Sequence, residues 1–92
     1  MSALIIVDLT PIDTEQLSHY SAQAAATLVP FGGEFIAKGP IEVLHGEAAH
    51  STKVVIQFPD RDSAAGWYAS DAYQALIPIR NKGMNSQFHL LG

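Results

Sequence analysis

Residues 58–80 read FPDRDSAAGWYASDAYQALIPIR, and they carry the chain's single Trp and two of its three Tyr. The residues leading into them, 54–58, are apolar and β-branched, which suits a strand, and Pro59 stops it because it has no N–H for a ladder. Asp60 is placed to cap a helix, its carboxylate accepting from the backbone N–H of Asp62 or Ser63. Ala64, Trp67 and Tyr68 then recur at helical spacing and define one bulky apolar stripe. Ser70 can cap a second helical segment over 71–77. Pro78 lacks the N–H that would bond to Gln74, so the segment is expected to end or kink there. Trp67, Tyr68 and Tyr73 read most simply as core aromatics packing a helix on a sheet.

Toward the N-terminus, residues 3–9 form an almost unbroken apolar run, interrupted by Asp8. As a strand it sets Ile5, Val7 and Leu9 on one face and Leu4 and Ile6 on the other, so both faces need cover. Pro11 and Asp13 open a helix. With Asp13 as N-cap, Gln16 sits where a capping box places it, and Ile12 can staple to Leu17. Leu17, Tyr20, Ala24 and Leu28 make the inward stripe, with Ser18, Gln23 and Thr27 directed largely away from it. Pro30 and the pair Gly32-Gly33 end the helix, one Gly serving as a left-handed cap.

Residues 34–38 alternate as a strand. Gly39-Pro40 marks a bulge or kink on an edge, residues 41–44 continue the strand, and 45–51 form a loop. Residues 52–58 return as the third strand, 81–85 make a turn, and 86–91 supply the fourth strand. The order is βαββαβ in a single domain. It predicts an α+β, ferredoxin-like sandwich: a four-stranded antiparallel sheet with both helices on one face. The other face would be bare, and an apolar first strand is hidden there by a second copy, sheet against sheet.

Composition agrees with a hidden face. Charged residues make up 15% of the 92 positions, against roughly 25% in an ordinary domain. The net charge is −4 with five scattered basic residues, so no basic stripe is available to neutralise phosphates and nucleic-acid binding is not expected. The chain has no Cys, hence no disulfide framework, thiolate nucleophile or Cys metal site. No apolar run approaches the ~20 residues that span a bilayer, and no basic, apolar and cleavable leader opens the chain, so a cytoplasmic location is expected.

Several elements resemble a known family. They are Val7-Asp8, Tyr20, Gly32-Gly33-Glu34-Phe35, Glu42-Val43-Leu44-His45-Gly46, Phe58-Pro59, Trp67-Tyr68-Ala69-Ser70, Tyr73-Gln74 and Arg80. The most specific is the series FP…WY.S..YQ……R. Together they resemble the domain-of-unknown-function family numbered 1330, of the dimeric α+β barrel superfamily. The resemblance spans nearly the whole chain and implies a homodimer whose two sheets close into a barrel. It carries no established reaction. Lys38 stands where the family pattern usually has Arg, which keeps the charge but loses the planar fork for a carboxylate. Pro30 and Pro78 stand where relatives often have ordinary helix formers.

The superfamily includes cofactor-independent monooxygenases, haem-degrading enzymes and small-ring isomerases, and the resemblance places a pocket between sheet and helices. Tyr20, Trp67 and Tyr73 would then supply apolar walls with polar tips. Lys38 and Arg80 are the cations able to hold a carboxylate or enolate oxygen, or else a solvated strand lysine and an arginine closing a helix end. Asp8 is either a base beside a cation or a cap on the strand–helix turn. His19, His45, His50 and His89 show no metal spacing, and His19 is a base, a haem ligand or a surface residue.

Neither cofactor nor metal is expected. Three readings compete: a metal-free enzyme for a small carboxylate-bearing or aromatic molecule, a non-catalytic or stress-associated binding module for such a molecule, and a haem-handling protein. Polar side chains with perturbed pKa values converging in a closed pocket favour the first, a wholly apolar lining the second, and a histidine aimed inward the third; the first is the reading adopted, with the second as its alternative.

Overall fold

The computed structural model describes residues 2–92. Strand β1 (Ala3–Pro11) is followed by helix α1 (Thr14–Leu28), a short 3₁₀ turn (Val29–Phe31), and strands β2 (Glu34–Pro40) and β3 (Thr52–Phe58). Helices α2 (Arg61–Ala69), α3 (Asp71–Gln74) and α4 (Ile77–Gly83) then lead directly into β4 (Met84–Leu91). The strands form one sheet in the order β2-β3-β1-β4, with every neighbouring pair antiparallel. This is the ferredoxin-like α+β arrangement expected from the order of elements.

The caps explain where the helices start. The Asp13 carboxylate accepts from the N–H groups of Glu15 (3.0 Å) and Gln16 (3.2 Å), and Asp60 accepts from Ser63 N–H at 2.7 Å. The latter bonds hold the exposed Asp60 carboxyl below its usual range. Ser70 Oγ accepts from Tyr73 N–H and starts α3. Gly32, at φ 69°, is the left-handed residue that turns the chain out of the 3₁₀ segment.

Several local expectations are corrected. Residues 41–44 are not strand; they belong to a loop over 41–51 closed at its base by Ile41 N–H donating to Ser51 O at 2.9 Å. The register shift in β2 falls between Phe35 and Ala37, and Gly39 and Pro40 stay paired with Lys53 and Thr52. The segment after Ser70 is helical only through Gln74, and Pro78 begins a helix instead of ending one. At the first turn the missing N–H of proline costs nothing. No turn covers 81–85, since α4 runs to Gly83 and β4 starts at Met84.

That direct connection explains two further differences at the start of α1. Gly83 O accepts from the N–H groups of Ile12 (2.8 Å) and Asp13 (3.2 Å). Asp13 N–H, which Gln16 would have satisfied in a capping box, therefore already has a backbone partner. Ile12 is 64% exposed and does not staple to Leu17. A Cβ at residue 83 would lie 2.7 Å from Leu17 N, so only glycine lets the end of α4 touch the backbone of α1.

The core lies between helices and sheet. Ala3, Ile5, Val7 and Leu9 of β1 face it, with Val54, Ile56 and Phe58 of β3, while Trp67, Tyr73 and Phe58 are the largest fully buried side chains. Tyr20, Ala24 and Leu28 bury the inner side of α1, and Leu17 packs at its edge. Thr27 is half-buried, and it turns inward because its Oγ accepts from Trp67 Nε1–H at 2.9 Å. Among the described residues no helix lies over the far face of the sheet. Leu4, Ile6 and Val55 are half-buried there, Leu91 is exposed, and Asp8 pairs with Lys53 at 3.3 Å.

Candidate functional site

Helix α1 packs on α3, α4 and the 3₁₀ turn more closely than on the strands, whereas α2 rests on β1 and β3. A cavity of ≈ 660 Å³ opens between α1 and the β2–β3 side of the sheet. Val7, Leu9, Val54 and Ile56 form its floor, and Tyr20 and Ala24 line its roof with the hydroxyls of Ser18 and Ser21. Trp67, Met84 and Phe88 lie along the wall, and Phe35 and Lys38 of the exposed edge strand border it. The side chains that keep this space open are small: Ser21, Ala22, Ala24 and Ala25 of α1.

Behind the wall the aromatics of the 58–80 stretch meet a guanidinium. Tyr73 sits 4.3 Å from Trp67 and 5.1 Å from Tyr68, ring centre to ring centre. Its hydroxyl is 2.7 Å from that of Tyr20. Arg80 Nη1 donates to the hydroxyls of Tyr68 (2.9 Å) and Tyr73 (3.2 Å). The two phenols of Tyr20 and Tyr73 bring two protons to their one shared bond, so one O–H remains free to donate. In the orientation Arg80 to Tyr73 to Tyr20 each donor is used in turn, and the free O–H is that of Tyr20 on the cavity roof.

Burial raises Tyr20 far above an ordinary phenol, the neighbouring Tyr73 adds to the rise, and Arg80 pulls it back only slightly. Burial also raises Tyr73, against its bonds to Tyr20 and Arg80. For Arg80, burial disfavours the charge, but the bonds to Tyr73 and Tyr68 outweigh it and the net shift is upward. Near neutral pH the cluster is thus two neutral phenols beside a guanidinium, a donor array and not a base.

A pH dependence follows. Tyr20, raised far above an ordinary phenol, stays protonated in the fold, and Tyr73 is shifted the same way, while in the unfolded chain both ionise near the ordinary value of about 10. The stability they confer is complete below that pH and is lost as pH rises above it. In urea titrations from pH 9 to 11.5, stability is expected to fall with a slope approaching ~1.4 kcal/mol per pH unit from Tyr20, with Tyr73 adding in the same direction. The double variant Tyr20→Phe, Tyr73→Phe should flatten the profile; an unchanged slope would contradict the assignment.

The sequence-selected residues thus separate into groups. Tyr20, Lys38 and Trp67 share the cavity, while Tyr73 and Arg80 stand behind its wall and reach it through Tyr20. Asp8 lies on the opposite sheet face, tied to Lys53. His19 is exposed, as are His45 and His89, and His50 Nδ1 is 2.9 Å from Thr10 Oγ; none of the four borders the cavity. Among the described residues no group of His, Asp and Glu is placed to hold a metal ion. No helix among them is long and apolar enough to cross a membrane.

Sequence reading did not single out Tyr68 as a partner of Arg80, nor Phe88, whose ring lies 4.9 Å from the guanidinium carbon. The available signal was the alternation of β4, which sends Ser86, Phe88 and Leu90 inward.

The sequence matches the family described as Domain of unknown function (DUF1330) over residues 2–92. The chain belongs to that family. Among solved structures it is similar to a protein of unknown function from Rhodopseudomonas palustris, with 12% identity over 98% of this chain and 80% of that one and a TM-score of 0.78. It is also similar to SnoaB, a cofactor-independent oxygenase from Streptomyces nogalater, at 13% identity, coverage of 99% and 91%, and a TM-score of 0.71. A dimeric ferredoxin-like protein of unknown function from Jannaschia sp. CCS1 matches at 13% identity, coverage of 100% and 99%, and a TM-score of 0.66. No curated protein matches the chain in sequence. For this DUF1330 chain, likeness at such identities establishes the ferredoxin-like fold.

Proposed function

We propose that this DUF1330 protein is a homodimer whose subunits each bind a small, largely apolar molecule with an anionic or carbonyl end in the cavity under α1. The observation that carries the reading is an apolar cavity of ≈ 660 Å³ with a single Lys, Lys38, at its border and a tyrosine hydroxyl, Tyr20, on its roof. Apolar walls with a few placed polar groups are the usual make-up of a ligand pocket, and the volume lies in the usual range. Lys38 offers a point charge for a carboxylate, and the O–H of Tyr20 a donor for a carbonyl oxygen.

The homodimer is supported by the uncovered sheet face, where Ile6 lies between Val55 and His89 and Leu4 between Gln57 and Leu91. A standard interface hides roughly 800 Å² per partner. The dimeric ferredoxin-like neighbour from Jannaschia supports the same reading.

A second reading, metal-free turnover of the ligand, is favoured by the donor chain. A neutral Tyr20 backed through Tyr73 by Arg80 is suited to holding negative charge that develops on a carbonyl oxygen. The likeness to a cofactor-independent oxygenase supports it. Among the described residues lining the cavity none is a His, Asp or Glu, however, and this leaves binding without turnover as the leading reading.

The test uses 8-anilinonaphthalene-1-sulfonate, an apolar anion whose fluorescence rises in dry surroundings. One saturable site per chain is expected, weakened about tenfold in Lys38→Met and abolished in Ser21→Phe, which fills the cavity from α1. Binding unaffected by either substitution would overturn the reading. Turnover would show instead as a rate lost in Tyr20→Phe at unchanged KM.

A further inference from the structure

Arg80 also borders a second depression, of ≈ 430 Å³, on the α2–β4 flank of the helical layer. Ile5, Phe88 and Leu90 of the sheet form its floor, Ala64, Ala65 and Tyr68 of α2 form its side, and Ser86 adds a hydroxyl. Neither Tyr20, Lys38 nor Trp67 reaches it, and the Phe88 ring is a wall common to this groove and the cavity under α1.

The state of Arg80 gives the groove its chemistry. The guanidinium is half-buried, its carbon 4.9 Å from the centre of Phe88 and 5.9 Å from that of Tyr68. Nη1 is committed to Tyr68 and Tyr73, and Nε donates to Asn81 Oδ1 at 3.3 Å. The two N–H groups of Nη2 meet no acceptor among the described residues. No carboxylate pairs with this arginine either, since the ion pair recorded among the described residues joins Lys53 and Asp8 on the far side of the sheet.

The hydroxyls of Tyr68 and Tyr73 keep Arg80 charged in its half-buried place, and the N–H groups of Nη2 stay open to an anion. Here its plane is already fixed by two hydroxyls and a ring, so little ordering remains for a ligand to impose. The two alanines of α2 leave room beside it that longer side chains would fill.

We propose that this groove is a second ligand site, which takes a small monocarboxylate with an apolar body, separate from the site under α1. The carboxylate receives hydrogen bonds from Nη2 of Arg80, with Ser86 Oγ beside it, and the body lies over Phe88 and Leu90 against Tyr68 and Ala65. The bound anion completes the charge balance of a cluster that otherwise holds one net positive charge. A dimer closed through the far sheet face leaves this flank open to solvent.

The experiment titrates benzoate, and benzamide as its neutral counterpart, into isotope-labelled protein and follows backbone amide signals. Benzoate is expected to shift Ala64, Ala65, Ser86 and Leu90 saturably, and benzamide at the same concentration to leave them in place. Arg80→Met should weaken benzoate at least tenfold. Ala65→Phe, an exposed helix position that needs no core rearrangement, should abolish the shifts without altering the far-ultraviolet spectrum. Equal effects of benzoate and benzamide, shifts confined to Ser18, Ser21 and Lys38, or shifts that survive Ala65→Phe would each overturn the proposal. The Ser21→Phe variant keeps this outcome distinct from that of the cavity under α1, because in it benzoate should still shift Ala64, Ala65, Ser86 and Leu90 as in the parent protein.

Discussion

Trp67→Ala is expected to unfold the domain under ordinary conditions. The indole is 1% exposed and sits 5.6 Å from Phe58 and 4.3 Å from Tyr73 between ring centres. Its N–H is the only donor to Thr27 Oγ among the described hydrogen bonds. Truncation removes about 3–5 kcal/mol of transfer and cavity energy, from a total that for a small domain lies near the low end of about 5–15 kcal/mol. Trp67→Phe keeps a ring but loses the bond to Thr27, which adds about 1 kcal/mol to the cost of lost volume. Urea titrations followed by far-ultraviolet circular dichroism order the three proteins. A midpoint for Trp67→Ala close to that of the parent would mean that Phe58 and Tyr73 close over the gap, and the central role given to the indole would fail.

The second large effect is on assembly. Ile6→Asp places a carboxylate in the middle of the uncovered sheet face, between Val55 and His89, without touching the core side of β1. In a symmetric dimer the change occurs twice. Losing two isoleucine contacts at about 1.5–3 kcal/mol each raises the dissociation constant about a hundredfold to ten-thousandfold, and any desolvated charge adds to that. Sedimentation at micromolar concentration should move from twice the chain mass of 9.9 kDa to once that mass, with the helical signal retained. A parent protein that already sediments as one chain would refute the dimer outright.

The parts of this fold legible in the sequence are those governed by a few adjacent residues. Asp13, Asp60 and Ser70 cap helices because their side chains reach N–H groups two or three residues on, and that geometry is local. Alternation in β1 and β3 likewise separates core side from outer side by counting in twos.

The misread parts depend on what lies across the fold. Pro78 can stop one helix or open the next, and the choice is made by apolar Leu76 and Ile77 finding the core edge. Residues 81–85 are rich in turn formers, yet Gly83 is needed for contact with Leu17 and not for a turn. In the site, Lys38 and Tyr20 could be nominated by residue type. The pairing of Arg80 with Tyr68 depends on how α4 packs along α1 and so brings its guanidinium to the end of α2, and no spacing announces it.

The order of the strands bears on how the chain is made. β1 lies inside the sheet, yet both of its neighbours come late: Leu4 faces Gln57 on one side and Leu91 on the other. Pairings so distant in sequence close large loops before any stability is returned, which places folding in the slower range for small domains. During synthesis β1 emerges before the other strands, apolar on both faces, and gains its second neighbour only when β4 has left the ribosome. Until then its edge is open to other chains, the situation in which nascent proteins aggregate or recruit chaperones. Asp8, the one charge within β1, interrupts that edge and later finds Lys53.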